Sequence, residues 1–241
     1  MKEWKKKIIK LKDILQITFI VILLAYLLKM FFLDTLKIPS SSMEKTLLPG
    51  DFVVVNKFYY NLKIPNYIPL TNIEIKPTKI LSFSKPKKGD VVAFYLYNFD
   101  GKDSNPMTFV KRCVAGPGDS IKINNTQYCL PEEGDHIYVD KTNINDLKPL
   151  ILRDGNKVEI RSDSLIYIND KPVNHYKFQN DFYYFVGDNV TNSVDSRNFG
   201  PIPEKDIIGK VVLVYWSLNM DNMVKSFIHK IRWNRLGMLV W

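Results

Sequence analysis

The chain has 241 residues, 46% of them hydrophobic, which is enough for one or two domains with a buried core. Its formal charge of +9 is concentrated at the two ends, because residues 1–13 carry a net +4 and residues 219–241 a net +3. The middle of the chain is nearly neutral, which argues against a groove for nucleic acid and favours contact of the basic ends with anionic lipid head groups.

Cysteines and histidines are few and scattered along the chain. The two cysteines, Cys113 and Cys129, allow at most one disulfide, and the sequence leaves open whether they pair. No group of cysteines and histidines has the spacing of metal ligands. We therefore expect no metal site, and we interpret both cysteines and the histidines His136, His175 and His229 as structural or surface residues.

The first predicted element is an apolar run of 20 residues, 14–33, whose single charge, Lys29, lies near one end. As a helix it would be about 30 Å long, the thickness of the hydrocarbon core of a bilayer. A cleaved secretory signal is the alternative, but no small-residue cleavage site follows the run. We therefore predict an uncleaved transmembrane anchor. The six lysines of residues 1–13 place this segment in the cytoplasm and everything from Asp34 onward outside.

The segment 34–221 has the pattern of a β-rich domain. Gly-Asp pairs recur five times, each at or near the start of an apolar or alternating segment of strand length. A proline-rich loop or insertion is predicted at 60–88. A basic amphipathic helix is predicted at 222–241, where apolar residues recur at four-residue spacing. Further predictions are strands at 52–55 and 107–115, a β-hairpin at 157–173 and a final, largely buried strand at 207–218.

Three consecutive serines, Ser40 to Ser42, follow Pro39 between the anchor and the first predicted strand. A serine hydroxyl needs a base to remove its proton, and none of the three histidines stands in a motif-like setting. A lysine is the alternative base, provided that its amine is neutral. Lys111 is the candidate because its strand is mostly apolar; burial that lowers its pKa from ~10.4 to about 8 corresponds to roughly 3 kcal/mol. On the residues alone, turn-forming serines and a strand lysine that faces water remain the alternatives.

A polar segment at 187–200, GDNVTNSVDSRNFG, is the third candidate element. Its Asp and Asn content would suit a calcium loop, but it lacks the regular ligand spacing and the terminal glutamate of such a loop. Taken alone, the pattern predicts an ordinary polar loop.

Four segments, in order behind the anchor, resemble the ordered boxes of bacterial type I signal peptidases: IPSSSMEKTLLPGD, KKGDVVAF, FVKRCVAGPGD and GDNVTNSVDSRNFG. These enzymes are Ser-Lys endopeptidases that remove signal peptides. The resemblance covers residues from about 38 to 203, loosely at 60–88 and 128–180, and does not include the C-terminal segment. It implies a mainly β, signal-peptidase-like fold: a single transmembrane helix, then a large antiparallel β-domain with a smaller β insertion, here at about 128–180. It implies no metal or cofactor.

The resemblance also implies roles for the serines and the lysine. Ser42 would be the nucleophile and Lys111 its general base. The Ser40 hydroxyl and the Ser42 backbone N–H would form the oxyanion hole. Ser41 stands where the family often has Gly, which leaves three adjacent serines as candidates; adjacency to Met43 favours Ser42.

The same resemblance implies supporting and substrate-binding residues. Ser193 would hold the lysine amine by a hydrogen bond, and Asp195 with Arg197 would form a supporting ion pair. Substrate would bind as an added strand beside the nucleophile loop and the strand that contains Phe109 and Val110, with shallow pockets for small side chains at alternate positions.

We expect a membrane-anchored serine endopeptidase that cleaves signal peptides from exported preproteins at the outer face of the bacterial cytoplasmic membrane. Its partners would be preprotein signal peptides and the lipid bilayer, not nucleic acid. A self-cleaving Ser-Lys repressor has a similar fold and dyad, but it would need a helical DNA-binding domain instead of an anchor. The other alternative is a membrane-anchored β-domain that binds partners or assembles the envelope without catalysis. Only the coincidence of Ser42, Lys111 and Ser193 in the family boxes opposes it.

Overall fold

The computed structural model describes residues 2–64, 78–97, 106–123, 126–161, 165–220 and 227–241. The described part is mainly antiparallel β, with one long N-terminal helix and a short C-terminal helix, so the predicted fold class is confirmed. The helices are α1 (Lys2–Phe31), α2 (Ile144–Arg153), α3 (Ser196–Phe199) and α4 (Phe227–Lys230). The strands are β1 (Leu33–Lys37), β2 (Asp51–Asn56), β3 (Asn61–Ile64), β4 (Thr78–Ser82), β5 (Val91–Leu96), β6 (Met107–Ala115), β7 (Ser120–Ile123), β8 (Thr126–Cys129), β9 (His136–Tyr138), β10 (Val158–Ile160), β11 (Ile166–Ile168), β12 (Lys171–Pro172), β13 (His175–Lys177), β14 (Phe182–Val186), β15 (Ile202–Pro203), β16 (Ile207–Ser217) and β17 (Met238–Leu239).

Helix α1 begins well before the predicted anchor, 14–33, and contains it up to Phe31; Leu33 already belongs to β1. Its apolar part, Leu11–Phe31, has a mean hydropathy of 2.3 and is not buried against the rest of the protein. By length and composition this part is able to cross a membrane. The helix is followed directly by β1, so the chain enters the main sheet as soon as the helix ends.

Eight strands form the main sheet, in the order β1-β2-β16-β5-β6-β14-β15, with β17 beside β16. The strand predicted at 52–55 is present as β2, and burial alternates along it: Asp51, Val53 and Val55 are buried and the residues between them are half-buried. Strand β6 pairs with β5 from Met107 to Arg112, but β14 joins it only from Arg112 onward. Among the described residues, the first five of β6 therefore have β5 as their only strand neighbour.

A smaller unit lies between β8 and β14 and has its own apolar core. It contains the β9–β13 pair, the three-stranded sheet β10-β11-β12 and helix α2. The predicted hairpin at 157–173 is present as β10 and β11, and β12 adds a third short strand. Helix α2 was not predicted, because Pro149 interrupts a short segment whose buried residues, Ile144, Leu147 and Ile151, have helical spacing. The core residues are Val139, Ile144, Leu147, Ile151, Val158, Ile166, Ile168, Tyr176, Phe178 and Phe182.

Two predicted segments differ from expectation. The stretch 60–88 contains a hairpin, because β3 pairs with β4; residues 65–77 lie outside the described part. The expected helix at 222–241 is seen only as α4, and residues 221–226 are not described. Beyond α4 the chain turns at Gly237, whose φ of 75° is incompatible with a continuing helix, and then pairs with β16 as β17. The backbone pairing of β17 and the burial of Val240 thus outweigh the helical spacing of apolar residues in this segment.

Candidate active site

The three serines lie in a short turn that connects β1 to β2. Ser40 is extended, and residues 41–43 form one turn of 3-10 helix in which Ser42 and Met43 are buried. The Ser42 carbonyl accepts a hydrogen bond from the Asn189 backbone N–H at 3.0 Å. The Met43 carbonyl accepts from the N–H of Leu47 at 2.8 Å. The turn is therefore held both by its own backbone and by the 187–200 loop.

Ser42 and Lys111, 69 positions apart in sequence, meet in this structure. Lys111 Nζ donates to Ser42 Oγ at 2.7 Å and to the Val110 carbonyl at 3.1 Å. Ser40 Oγ lies 3.3 Å from Ser42 Oγ. By contrast, Ser41 Oγ is 2.8 Å from the side-chain amide of Asn192, which donates to it. The geometry therefore sets Ser42 apart from its two neighbours as the hydroxyl in contact with the lysine.

The environment of Lys111 favours a neutral amine. Its side chain is almost completely buried, at 3% exposed, and burial lowers its pKa to about 8, although the charge of Asp195 acts in the opposite direction. The Phe109 ring lies 5.3 Å from the amine. At pH 7 about a tenth of the molecules then carry a neutral Lys111, against fewer than about one in a thousand at the ordinary pKa. The lysine can therefore accept a proton near neutral pH.

Ser193 lies beside the turn that carries Ser42 and does not bond the lysine amine in this structure. Its hydroxyl oxygen is buried and makes no hydrogen bond of ordinary geometry with a described residue, although it lies near enough to the Asp195 carboxylate to help lower its pKa. A Cβ built on Gly187 would lie 2.2 Å from Ser193 Oγ and 2.5 Å from the Ser42 carbonyl oxygen. Ser193, Gly187 and Ser42 are thus tightly packed. A bond from Ser193 to Lys111 stays a prediction.

Asp195 and Arg197 form a bidentate ion pair at the start of α3. Arg197 Nε and Nη2 each donate to the fully buried Asp195 carboxylate at 2.8 Å. The same carboxylate accepts from the Gly187 N–H at 3.0 Å and caps the helix. Burial alone would raise the Asp195 pKa, but the hydrogen bonds from Arg197 and Gly187 outweigh it and lower the pKa to about 2. The pair therefore fixes the loop that packs on the turn that carries Ser42.

A cleft of about 410 Å³ lies beside the serine and the lysine. Its walls are two extended stretches, residues 36–40 and residues 107–110, and each has a strand neighbour on one side only among the described residues. Phe109 and Val110 both line the cleft. Their contact with substrate stays a prediction. Apolar side chains provide half of the other lining residues: Leu36, Ile38, Pro39, Met43 and Met107.

Comparison with known proteins decides the family. Residues 11–216 match the family described as signal peptidase, peptidase S26. The chain belongs to this signal peptidase family. Proteins named signal peptidase I are similar to it: one from Buchnera aphidicola subsp. Baizongia pistaciae is 30% identical over 83% of this chain and 75% of its own length. One from Pseudomonas aeruginosa is 27% identical over 83% and 70%, and one from Helicobacter pylori is 26% identical over 89% and 88%.

Family membership makes this signal peptidase an enzyme that hydrolyses peptide bonds, as the resemblance predicted. Within the described residues, no group of three or more His, Cys, Asp or Glu side chains could hold a metal ion. The two cysteines are both free; Cys113 is buried and Cys129 is exposed.

Sequence reasoning missed the role of Arg112, which follows the lysine of this peptidase. Its guanidinium donates to both Asp188 carboxylate oxygens at 2.7 Å, to the Thr46 hydroxyl at 2.9 Å and to the Gly89 carbonyl at 2.6 Å. The side chain thereby connects β6 to the loop that contains Thr46 and to the 187–200 loop. Because side chains alternate along β6, Arg112 points to the face opposite Lys111. The only sign of its ion pair in the sequence was the acidic residue of the Gly-Asp pair at 187–188.

Proposed function

We propose that this signal peptidase is a membrane-anchored Ser-Lys endopeptidase that cleaves N-terminal signal peptides from exported preproteins. The observation that carries the proposal is the 2.7 Å contact between Ser42 Oγ and the amine of Lys111, itself 3% exposed. The names of its relatives, signal peptidase I, support signal peptides as the substrate.

The chemistry begins with a neutral Lys111. Its amine takes the proton of Ser42 as Oγ attacks the scissile carbonyl, and the resulting ammonium then gives a proton to the leaving amine. Water, activated by the same amine, hydrolyses the acyl-serine and releases the enzyme. The oxyanion that forms in each step is stabilised by the Ser42 backbone N–H and by the Ser40 hydroxyl, which lies 3.3 Å from Ser42 Oγ.

Ser193 and the Asp195–Arg197 pair support this dyad in the proposal. The buried Ser193 hydroxyl has no competing bond of ordinary geometry with a described residue, so it is available to accept one from the lysine amine. Such a bond would direct the nitrogen lone pair towards Ser42. The ion pair fixes the backbone of the loop that carries Ser193, because Asp195 also accepts from the Gly187 N–H.

The cleft supports binding of the substrate as an added strand. Residues 107–111 have β5 on one side, and on the other side an extended peptide would complete the pairing. Successive side chains of the bound peptide would then point to opposite faces of the sheet, one towards the side of Phe109 and the next towards the side of Val110. The preference for small side chains at alternate positions is part of the proposal, and the cleft of about 410 Å³ is large enough for a short peptide segment.

Helix α1 supports anchoring in the cytoplasmic membrane. The lysines of residues 1–13 favour a cytoplasmic N-terminus, with the catalytic domain outside. Ser42 follows the end of α1 at Phe31 by 11 residues, a stretch that spans at most about 40 Å when fully extended. The active site is therefore near the outer face of the bilayer, where a translocated signal peptide would present its cleavage site.

Two serine substitutions test the proposal on the full chain in detergent, with a preprotein as substrate. Ser42→Ala is expected to abolish cleavage and keep the fold, because the hydroxyl contributes chemistry and little packing. Ser41→Ala, the matched control, is expected to keep most of the activity. Activity lost only in Ser41→Ala would move the nucleophile to that residue, and cleavage by both variants would reject the Ser-Lys mechanism.

A further inference from the structure

The C-terminal arm, residues 227–241, packs on the core beneath the nucleophile. It lies beyond the part of the chain that matches the signal peptidase family, which ends at 216. The arm returns along β16, first through a bridge between Leu218 and Ile231 and then as β17. Val240 is 4% exposed and belongs to the same apolar cluster as Met43 and Leu47. The arm therefore shares its packing with the turn that carries the nucleophile.

Arg235 of the arm bonds to the loop that follows the nucleophile. Its Nη2 donates to the Thr46 carbonyl at 2.9 Å and to the Asp51 carboxylate at 2.6 Å, while Nε donates to Asp51 at 3.0 Å. Asp51 is fully buried and also accepts from the Leu48 N–H at 2.8 Å. One guanidinium therefore holds two points of the loop, at residue 46 and at residue 51.

The arm also reaches the residue next to the general base. Nη1 of Arg112 donates to the Trp241 backbone carbonyl at 2.8 Å, and its Nη2 donates to the Thr46 hydroxyl at 2.9 Å. Thr46 is thus held at two atoms: its carbonyl accepts a hydrogen bond from Arg235, and its hydroxyl accepts one from Arg112. The serine side and the lysine side of the site are connected through the arm.

We propose that the C-terminal arm is a positioning element of the active site, and that Arg235 is the residue through which it holds the nucleophile turn against Lys111. This inference rests on the proposed Ser42–Lys111 chemistry. A displacement of about 1 Å at reacting groups costs about a hundredfold in rate, so a loop that follows the nucleophile by only a few residues needs such a restraint.

Arg235→Lys tests the proposal because it keeps a positive charge opposite Asp51. An ammonium lacks the planar fork of a guanidinium and does not hold the Thr46 carbonyl and both Asp51 oxygens together. We expect kcat for preprotein cleavage to fall about tenfold or more with KM little changed. We also expect the acid limb of the pH–rate profile to move to higher pH, because a loosened turn admits water around Lys111.

The matched control is Arg161→Lys, the same change at an exposed arginine that pairs with Glu159 and Asp170 in the smaller unit. It is expected to have wild-type kcat and pH profile. Wild-type kcat and pH profile in folded Arg235→Lys would overturn the proposal. A lower kcat together with a lower Tm and an unmoved acid limb would also overturn it, because that combination indicates only a loss of folded protein.

A second variant covers the case in which Arg235→Lys fails to fold. Val240→Ala keeps Arg235 and removes part of the packing of the arm on the cluster that contains Met43 and Leu47, and we expect the same fall in kcat and the same shift of the limb. Wild-type kcat and an unmoved limb in Val240→Ala would then overturn the proposal. Failure of the underlying chemistry is seen separately, as cleavage by Ser42→Ala.

Discussion

Gly187→Ala is expected to inactivate the enzyme by moving the nucleophile backbone. The added Cβ would lie 2.5 Å from the Ser42 carbonyl oxygen, whereas ordinary contacts begin at 3.4 Å, so one group must move by about 1 Å. Ser193 Oγ, 2.2 Å from the same Cβ, is able to rotate away, but Ser193 Cβ, at 2.6 Å, moves only with its backbone. The Ser42 carbonyl cannot rotate away either, because it accepts the Asn189 N–H at 3.0 Å. The added methyl group therefore pushes the backbones of Ser42 and of the 187–200 loop apart. A displacement of this size at the reacting serine corresponds to about a hundredfold loss in kcat.

The stability cost of the same substitution should be modest, about 1–3 kcal/mol, as for other overpacked sites. The assay is kcat for preprotein cleavage, measured together with thermal unfolding on the purified full chain. Gly116→Ala is the control, because a Cβ there would meet its nearest neighbour, the Tyr183 ring, at an ordinary 3.5 Å. Gly187→Ala protein that is folded and cleaves at near the wild-type rate would refute the argument that Gly187 packing positions Ser42.

Three further predictions concern the lysine, the second serine and the anchor. Lys111→Met should raise the free energy of unfolding by about 3 kcal/mol at neutral pH, since burial disfavours a charged Lys111. This stabilisation should disappear as the pH rises from about 8 towards 10.5, and its absence, or its independence of pH, would contradict the burial of a titrating amine. Ser193→Ala should lower kcat about tenfold to a few hundredfold with KM unchanged, the cost of one buried hydrogen bond, and wild-type kcat would remove Ser193 from the site. Protease added to spheroplasts should digest the chain beyond α1 and leave a short N-terminal fragment, whereas a fully protected C-terminal domain would reject the proposed orientation.

Four of the eight strands of the main sheet, β2, β5, β6 and β16, were predictable because their signal is local. Gly-Asp turns followed by β-branched residues mark β2 and β5, and both form where the pattern places them. The end of the chain was not predictable in this way. Its four-residue spacing is helical, but pairing of Met238 with Val214 and burial of Val240 depend on a strand that ends some twenty residues earlier. Tertiary contacts of this kind leave no periodic signal in the segment itself.

The active site was predictable in its residue types and not in its geometry. The sequence offered Ser42 and Lys111 as candidates, but the 2.7 Å contact arises because the turn after β1 packs against β6, and no local pattern encodes that approach. The support around the dyad was only partly visible. The Asp195–Arg197 pair followed from the family boxes, whereas the bonds of Arg112 depend on three separate loops meeting in space.

The central claim, that a neutral Lys111 is the base for Ser42, is tested most directly by the pH dependence of kcat for preprotein cleavage. The base form is the deprotonated amine, so the rate should rise with pH along a limb near the lowered pKa of about 8. Lys111→Arg should be inactive at every pH, because a guanidinium stays protonated. A limb near pH ~6.5, where histidine titrates, or measurable cleavage by Lys111→Arg would contradict the account.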